Sequence, residues 1–407
     1  MGTRKPTNPY AAYNENGHTV IPKAPVISGI KADEAPHTYA QRKRQNRRKR
    51  RIKRIISALI AVVVICGALL GGLYIYLDSY FNEGDSGKLT DDIISTPDEF
   101  KGDYVNILVC GIDYDAEDDG RDYSEGKGMT DLIMYVSFDV KNKSVNILQI
   151  PRDSYVGDAY NTGGTGKINA VYSHGEDQQN LITNLAKVLN EQYSLPVDYY
   201  MTIDMAGFKE IYRRLNIALG GIEIYVPWDV NYYDEATGQT ITVPQGYQVM
   251  DEEHVEWILR QRKDYSQGDI KRLELQQYFY AAMFKAFKQV APADLVQFMP
   301  TFKYFVNTDL SAADAISLGM SLLKVEGQNI TIYRSPGGPI TMNGQSCYGV
   351  NPVNMAEMLN NHFRIYGDPV PVLDKLPTNF EYTLGEIYDE GKSMASIEQS
   401  QTDENAA

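Results

Sequence analysis

Past residue 100 the chain alternates short apolar runs with stretches of helical spacing. Tyr104–Ile112 (YVNILVCGI), Leu132–Phe138 and Ser144–Ile150 are apolar or β-branched runs of strand length. Asn180–Glu191 repeats its apolar residues at helical spacing, Val197–Ile203 returns to a strand pattern, and Met205–Leu215 is helical again. Gly220-Gly221 stops that helical segment before the strand Ile222–Val226. Helices over Glu252–Leu259, Ile270–Lys288 and Ala312–Lys324, a strand over Ile330–Arg334 and a helix over Pro352–Phe363 complete the pattern. Strands and helices in this mixed order predict one α/β domain, a central sheet flanked by helices, filling about 102–385. No internal repeat is present.

One apolar run has a different meaning. Ile55–Leu77 (IISALIAVVVICGALLGGLYIYL) contains no charged residue, and a helix needs roughly 20 apolar residues to cross a hydrocarbon core about 30 Å thick. Arg42–Arg54 (RKRQNRRKRRIKR), nearly all bases, abuts it. Bases beside a span stay in the cytoplasm. The expectation is a single-pass cell-membrane protein with its N-terminus inside and everything after Leu77 outside. A cleaved signal peptide has a shorter apolar core and a small-residue cleavage site. The basic block also suits anionic membrane lipid. The remaining boundaries follow: 1–54 a disordered basic cytoplasmic tail, 55–77 a transmembrane helix, 78–101 a linker, and 386–407 a disordered acidic tail.

The net charge of −14 sharpens this division. Residues 1–54 carry 14 Lys and Arg against three acids, whereas 25 bases face 50 acids in the remainder. An acidic outer part argues against nucleic acid as a partner and makes any local cluster of arginines informative. Cys66 falls in the span, Cys110 in an apolar strand and Cys347 in a Gly/Asn-rich stretch. That spacing offers no CxxC metal site, and Cys110 reads as a core residue rather than half of a disulfide with Cys347.

Three groups of residues can carry chemistry. Asp113 follows the first strand and Asp131 opens the next. Ligands of open α/β sheets sit at strand carboxyl ends, and two carboxylates on neighbouring strands suit a hard cation; a pair of loop acids is the plain alternative. Ile150-Pro151-Arg152-Asp153 ends an apolar strand with an Arg. Arg260, Arg262, Asp269, Arg272 and Gln276 form the third group. On one continuous helix Arg260 and Arg262 would point about 200° apart, so they converge only if the helix ends there. Asp269 suits an N-cap, and Arg272 and Gln276 share a helical face. Guanidinium forks near a helix start match phosphate; a solvated basic turn is the alternative. Gly163–Ile168 (GGTGKI) looks like a nucleotide P-loop, but Asn161 and Ile168 stand where that pattern needs Gly and Ser/Thr. Lys167 remains a candidate point charge for phosphate. His174 reads as a hydrogen-bonded residue rather than a base.

In combination these segments resemble the LytR-CpsA-Psr family of Gram-positive cell-envelope proteins. The resemblance is carried by NILVCGID (106–113), MTDLIMYVSFD (129–139), SVNILQIPRDSYV (144–156), KINAVYSHG (167–175), VDYYMTIDMAGF (197–208), LGGIEIYVP (219–227) and LRQRKDYSQGDIKRLELQQ (259–277). It implies a single α/β/α sandwich with a central mixed sheet and an apolar tunnel for a prenyl chain. The implied activity is transfer of a glycopolymer (teichoic acid, capsule or another secondary wall polymer) from an undecaprenyl-pyrophosphate carrier to peptidoglycan. Carried over to this chain, Asp113 and Asp131 would hold Mg²⁺, or Mn²⁺ in its place. Arg152, Arg260, Arg262 and Arg272 would grip the pyrophosphate, with Lys167 and Gln276 near the same head group and Asp269 orienting the arginines. Arg152, Asp131 and Arg262 would carry the catalysis.

The chain departs from the family pattern at Met129 and Leu275, where arginines are usual, and at Lys271, where Gly is usual. Phosphoryl transfer relies mainly on positioning and charge stabilisation, which agrees with carboxylates and arginines in one acidic domain. The competing readings are a polyprenyl-pyrophosphate hydrolase, a non-catalytic envelope sensor of lipid-linked phosphates, and a surface adhesin that would leave the arginines unexplained.

Overall fold

The computed structural model describes residues 88–404 except 115–127, 235–237, 261–268, 290–304, 389 and most of 311–320. It also describes a short antiparallel pair, Ala12–Tyr13 with Thr19–Val20, within the stretch expected to be disordered. The apolar run 55–77 lies outside the described residues; among the described ones no helix is long and apolar enough to cross a membrane.

Seven strands form the central sheet: β1 (Tyr104–Asp113), β2 (Met129–Asp139), β3 (Ser144–Ile150), β4 (Tyr199–Asp204), β5 (Val306–Thr308), β6 (Ile330–Arg334) and β7 (Lys392–Ser393), in the spatial order β5-β4-β1-β2-β3-β6-β7. β1 runs parallel to β4 and antiparallel to β2, and β3 runs parallel to β6, so the sheet is mixed. Helices α1 (Ile168–His174), α2 (Leu181–Tyr193), α3 (Met205–Leu219), α4 (Glu252–Arg260), α5 (Asp269–Gln289), α6 (Pro352–His362) and α7 (Met394–Glu404) flank it.

Successive strand residues point to opposite faces, and the two cores follow that alternation. Ile107, Val109, Met134, Val136 and Ile147 pack with α3, α4, α5 and α7. Leu108, Cys110, Ile133, Tyr135 and Leu148 pack with α1, α2 and α6 on the other face. The helix ends obey local chemistry. Asp204 caps α3 by accepting from Gly207 N at 2.7 Å, and Gly220 closes it at φ +71°. Asn351 caps α6, which has Pro at its first turn. Helix α5 is buried all along Leu273–Phe287 save at Glu274 and Lys285, because the sheet lies on one side and the Glu223–Val226/Gly246–Val249 ladder on another; Tyr225 and Tyr278 have ring centroids 5.5 Å apart.

Two boundaries need correction. The segment expected to be a disordered acidic tail, 386–407, supplies β7 and α7: Ser393 Oγ accepts from Ser396 N at 3.0 Å, and Met394 and Ile397 are buried in the first core. Their i, i+3 spacing is a short apolar signal inside a polar composition. The described part of the linker is also docked. Asp198 accepts from Thr96 N at 2.7 Å, Thr96 Oγ1 at 2.6 Å and Asn106 N at 2.7 Å, which ties the linker to β1. The hairpin of Gly337–Met342 and Gln345–Val350 was not expected from the sequence. Cys110 and Cys347 are both free and buried, and burial pushes both thiols above their ordinary pKa.

Candidate functional site

The site grows out of the carboxyl end of β3 and an irregularity in β2. Gly111 faces Leu132 and Ile112 faces Thr130, so Asp131 is the extra residue of a β-bulge. A bulge re-aims the side chain it inserts. Asp131 Oδ1 accepts from Arg152 Nη1 at 2.5 Å, and the two side chains are 3% and 11% exposed. Burial this deep leaves each ion dependent on the other, because an unpaired buried charge is costly. Asp131 Oδ2 is buried without a hydrogen-bond partner among the described residues.

The network continues outward. Arg152 Nε lies 3.9 Å from Asp153 Oδ2, and Lys167 Nζ donates to Asp153 Oδ1 at 3.0 Å. Asp131, Arg152, Asp153 and Lys167 thus form a chain of alternating charge, from a buried end to an end about a quarter exposed.

Backbone bonds clamp the loop that carries it. Ser154 Oγ and N both donate to Pro151 O. Tyr348 N donates to Asp153 O and Tyr155 N to Tyr348 O, each at 2.9 Å, so the unexpected hairpin fixes one side. On the other, the first free N–H groups of α1 are taken by this loop: Ile168 N donates to Ser154 O at 2.8 Å and Asn169 N to Arg152 O at 3.2 Å. One glycine of the P-loop lookalike serves the same purpose. Gly166 has φ +68°, and a Cβ there would lie 2.6 Å from the Tyr155 ring.

The other expected residues divide into two sets. Asp113 ends β1 in register with Met129, at the same sheet end as Asp131. Gln276 is fully buried on α5, and neither of its amide atoms has a partner among the described residues. The described part of α4 runs to Arg260 and that of α5 starts at Asp269; the turn over which the arginines were expected to converge lies outside the described residues. Arg262 and the side chains of Arg260, Asp269 and Arg272 lie outside the described residues. The departures at Met129 and Leu275 are both buried, so packing occupies those positions. His174 ends α1, its Nδ1 within 3.1 Å of Ala170 O and 3.0 Å of Ser173 Oγ.

Three features were missed at the sequence level. Asp153 is the link between Arg152 and Lys167, a role only the loop geometry reveals. Gln149 is buried with neither amide atom partnered among the described residues, and Arg334, in register with it on β6, is 9% exposed. The signal for Arg334 was the one used for Arg152, an arginine closing an apolar strand.

The LytR_cpsA_psr family model matches residues 79–364. The chain belongs to that family. The Bacillus subtilis polyisoprenyl-teichoic acid–peptidoglycan teichoic acid transferase TagV is 29% identical over 226 residues, 53% of this chain and 52% of that protein. A TagU transferase of Bacillus mycoides is 29% identical over 185 residues, 46% of this chain and 53% of that protein. The chain thus spans about half the length of these curated relatives. The crystal structure of B. subtilis TagV superposes with a TM-score of 0.51 at 23% identity, covering 65% of this chain and 98% of that one. That likeness shows the fold: a mixed α/β domain with a central sheet.

Proposed function

We propose that this LytR_cpsA_psr protein is a phosphotransferase anchored in the cell membrane by Ile55–Leu77, working on its outer side. It moves a glycopolymer of the teichoic acid or capsule class from an undecaprenyl-pyrophosphate carrier to peptidoglycan. The observation that carries the reading is the buried Asp131–Arg152 pair with Asp153 and Lys167, set at the strand ends of a family member whose relatives are named for this transfer.

In this reading Arg152 and Lys167 present charge to the pyrophosphate, and Arg260, Arg262 and Arg272 complete the grip with Gln276 beside them and Asp269 orienting them. The prenyl chain runs along the apolar face under α5. Mg²⁺ fits the donor set: Asp131 keeps one buried oxygen without a partner among the described residues, Asp113 ends the neighbouring strand, and this ion usually takes one or two carboxylates plus substrate phosphates. No group of three acids, histidines or cysteines gathers for a metal among the described residues, so the phosphates would complete the shell. Bound there, Mg²⁺ or Mn²⁺ would neutralise phosphate charge. A sugar hydroxyl of peptidoglycan attacks the phosphorus next to the polymer, and the bond to prenyl phosphate breaks. Asp153, the more exposed acid, takes the hydroxyl proton.

The test is transfer by the purified protein from a lipid-linked donor to peptidoglycan. Arg152→Ala and Arg262→Ala should each lower the rate about a hundredfold or more, as loss of a preorganised charge-stabilising donor does. Wild-type rates in both variants would overturn the mechanism. Free polymer phosphate formed equally with and without peptidoglycan would instead mark a hydrolase.

A further inference from the structure

We infer that the cleft between the linker and helices α1 and α2 is a subsite for an amine-bearing part of the peptidoglycan acceptor, an inference that rests on the transferase reading. The cleft has a volume of about 300 Å³. Pockets for small molecules run from about 300 to 1,000 Å³, so it suits one sugar or one peptide side group, not a polymer chain.

Its chemistry is specific. Thr183 lines the cleft, is 4% exposed, and its hydroxyl has no hydrogen-bond partner among the described residues. A buried hydroxyl left so is unfavourable until something polar arrives. Asp92, Glu176, Asp177 and Glu191 line the same space against a single cation, Lys187, which lies 3.7 Å from Glu176. Glu191 Oε2 accepts from Tyr160 Oη at 2.8 Å, and Asp177 Oδ1 accepts from Gln179 N at 2.9 Å and Asn180 N at 2.8 Å. The second oxygens of Glu191 and Asp177 hold no hydrogen bond among the described residues. These acids do not gather closely enough to share a metal ion. The fitting ligand is therefore an organic ammonium carried on a molecule with its own hydroxyl or amide groups. Stem peptides of peptidoglycan with a free amine have that chemistry.

The cleft is also placed for an acceptor. Val171 and Gly175 line it from the far half of α1, whose N-terminus holds the carbonyls of Arg152 and Ser154. At 1.5 Å per residue, seven residues put it roughly 10 Å from that end. Tyr160 and Asn161 belong to the loop that joins Asp153 to Lys167. Binding a remote part of a large substrate here would help to hold its reacting hydroxyl in place.

The experiment titrates the full chain in nanodiscs with a soluble muropeptide bearing a free stem amine, and with the same muropeptide N-acetylated. N-acetylation and Glu191→Gln should each weaken binding about fivefold, the upper range for a partly exposed ion pair. Thr183→Val should weaken it severalfold and Thr183→Ser should restore it, while affinity for farnesyl pyrophosphate stays unchanged in every variant. Equal binding of acetylated and free amine, or wild-type affinity in both Glu191→Gln and Thr183→Val, overturns the inference. Amine-dependent binding without any transfer would sink the transferase reading and leave the cleft standing.

Discussion

The two faces of the sheet are equally well buried, but they treat their polar groups differently. On the face of α1, α2 and α6, buried amides donate to backbone carbonyls. Asn184 Nδ2 reaches Asp177 O at 2.7 Å, Asn190 Nδ2 reaches Leu195 O at 2.6 Å, and Gln192 Nε2 reaches Val156 O at 2.9 Å. On the face of α3, α4, α5 and α7, Gln149 and Gln276 are buried with neither amide atom partnered among the described residues. Buried polar groups are normally satisfied, and each exception needs a reason. The first face ties these amide donors to the backbone, though Thr183 Oγ1, Asn169 Oδ1 and Gln192 Oε1 there have no partner among the described residues. The second keeps polar atoms at the strand ends in a state that a ligand would improve, which is where the proposed head-group contacts lie.

This contrast can be broken in three ways. Phe363, fully buried on the first face, packs with Tyr135 and Tyr333 at centroid distances of 6.0 and 5.4 Å. Phe363→Ala should cost about 3–5 kcal/mol in denaturant unfolding; a loss below about 1 kcal/mol would mean that face is not the stabilising one. Gln276→Leu tests the other face in the opposite sense. Removing an unpartnered buried amide should leave stability unchanged or raise it by about 1–3 kcal/mol, while affinity for a prenyl-pyrophosphate donor falls. Clear destabilisation with donor affinity intact would show that Gln276 is only a core residue.

The smallest expected effect comes from the sheet edge. Asp309 accepts from Tyr200 N at 2.8 Å, and burial raises its pKa to about 6 from an ordinary 3.8. The folded protein therefore holds this proton more tightly than the unfolded chain. Stability from this group is full below about pH 4 and is lost as pH rises through about 6. Asp309→Asn should flatten that slope and gain about 1–2 kcal/mol at pH 7 relative to wild type. Unfolding curves at pH 4 and 7 that shift equally in both proteins would refute it.

Much of the frame was legible because it rests on local rules. β3 and β6 match their sequence-based bounds residue for residue, and the other expected strands and helices that are described differ by a few residues at their ends; the helix expected over Ala312–Lys324 lies largely outside the described residues. Alternation, caps and terminal glycines are short-range signals. What escaped depends on distant partners. The bulge at Asp131 is invisible until β1 supplies the register. The hairpin at 337–350 carries too much Gly and polar character to read as strands, yet it clamps the Arg152 loop. Segment 392–404 looked like a solvated tail because its composition is polar; among its described side chains only Met394 and Ile397 are buried, and burial of those two sets its position. For the site, residue types marked Asp131 and Arg152 separately. Their pairing, and the part of Asp153 between them and Lys167, needed the fold.

The shortness of β5 and β7 has a bearing on life at a crowded surface. An open sheet offers its outermost strands as templates for a neighbour's backbone. Here one border is a three-residue strand and the other a two-residue strand led by Lys392 and followed at once by a helix. Neither presents a long ladder for another molecule to extend. Copies of this domain held side by side at high local density would be poor nuclei for one another, and the last residues of the chain contribute to that insulation.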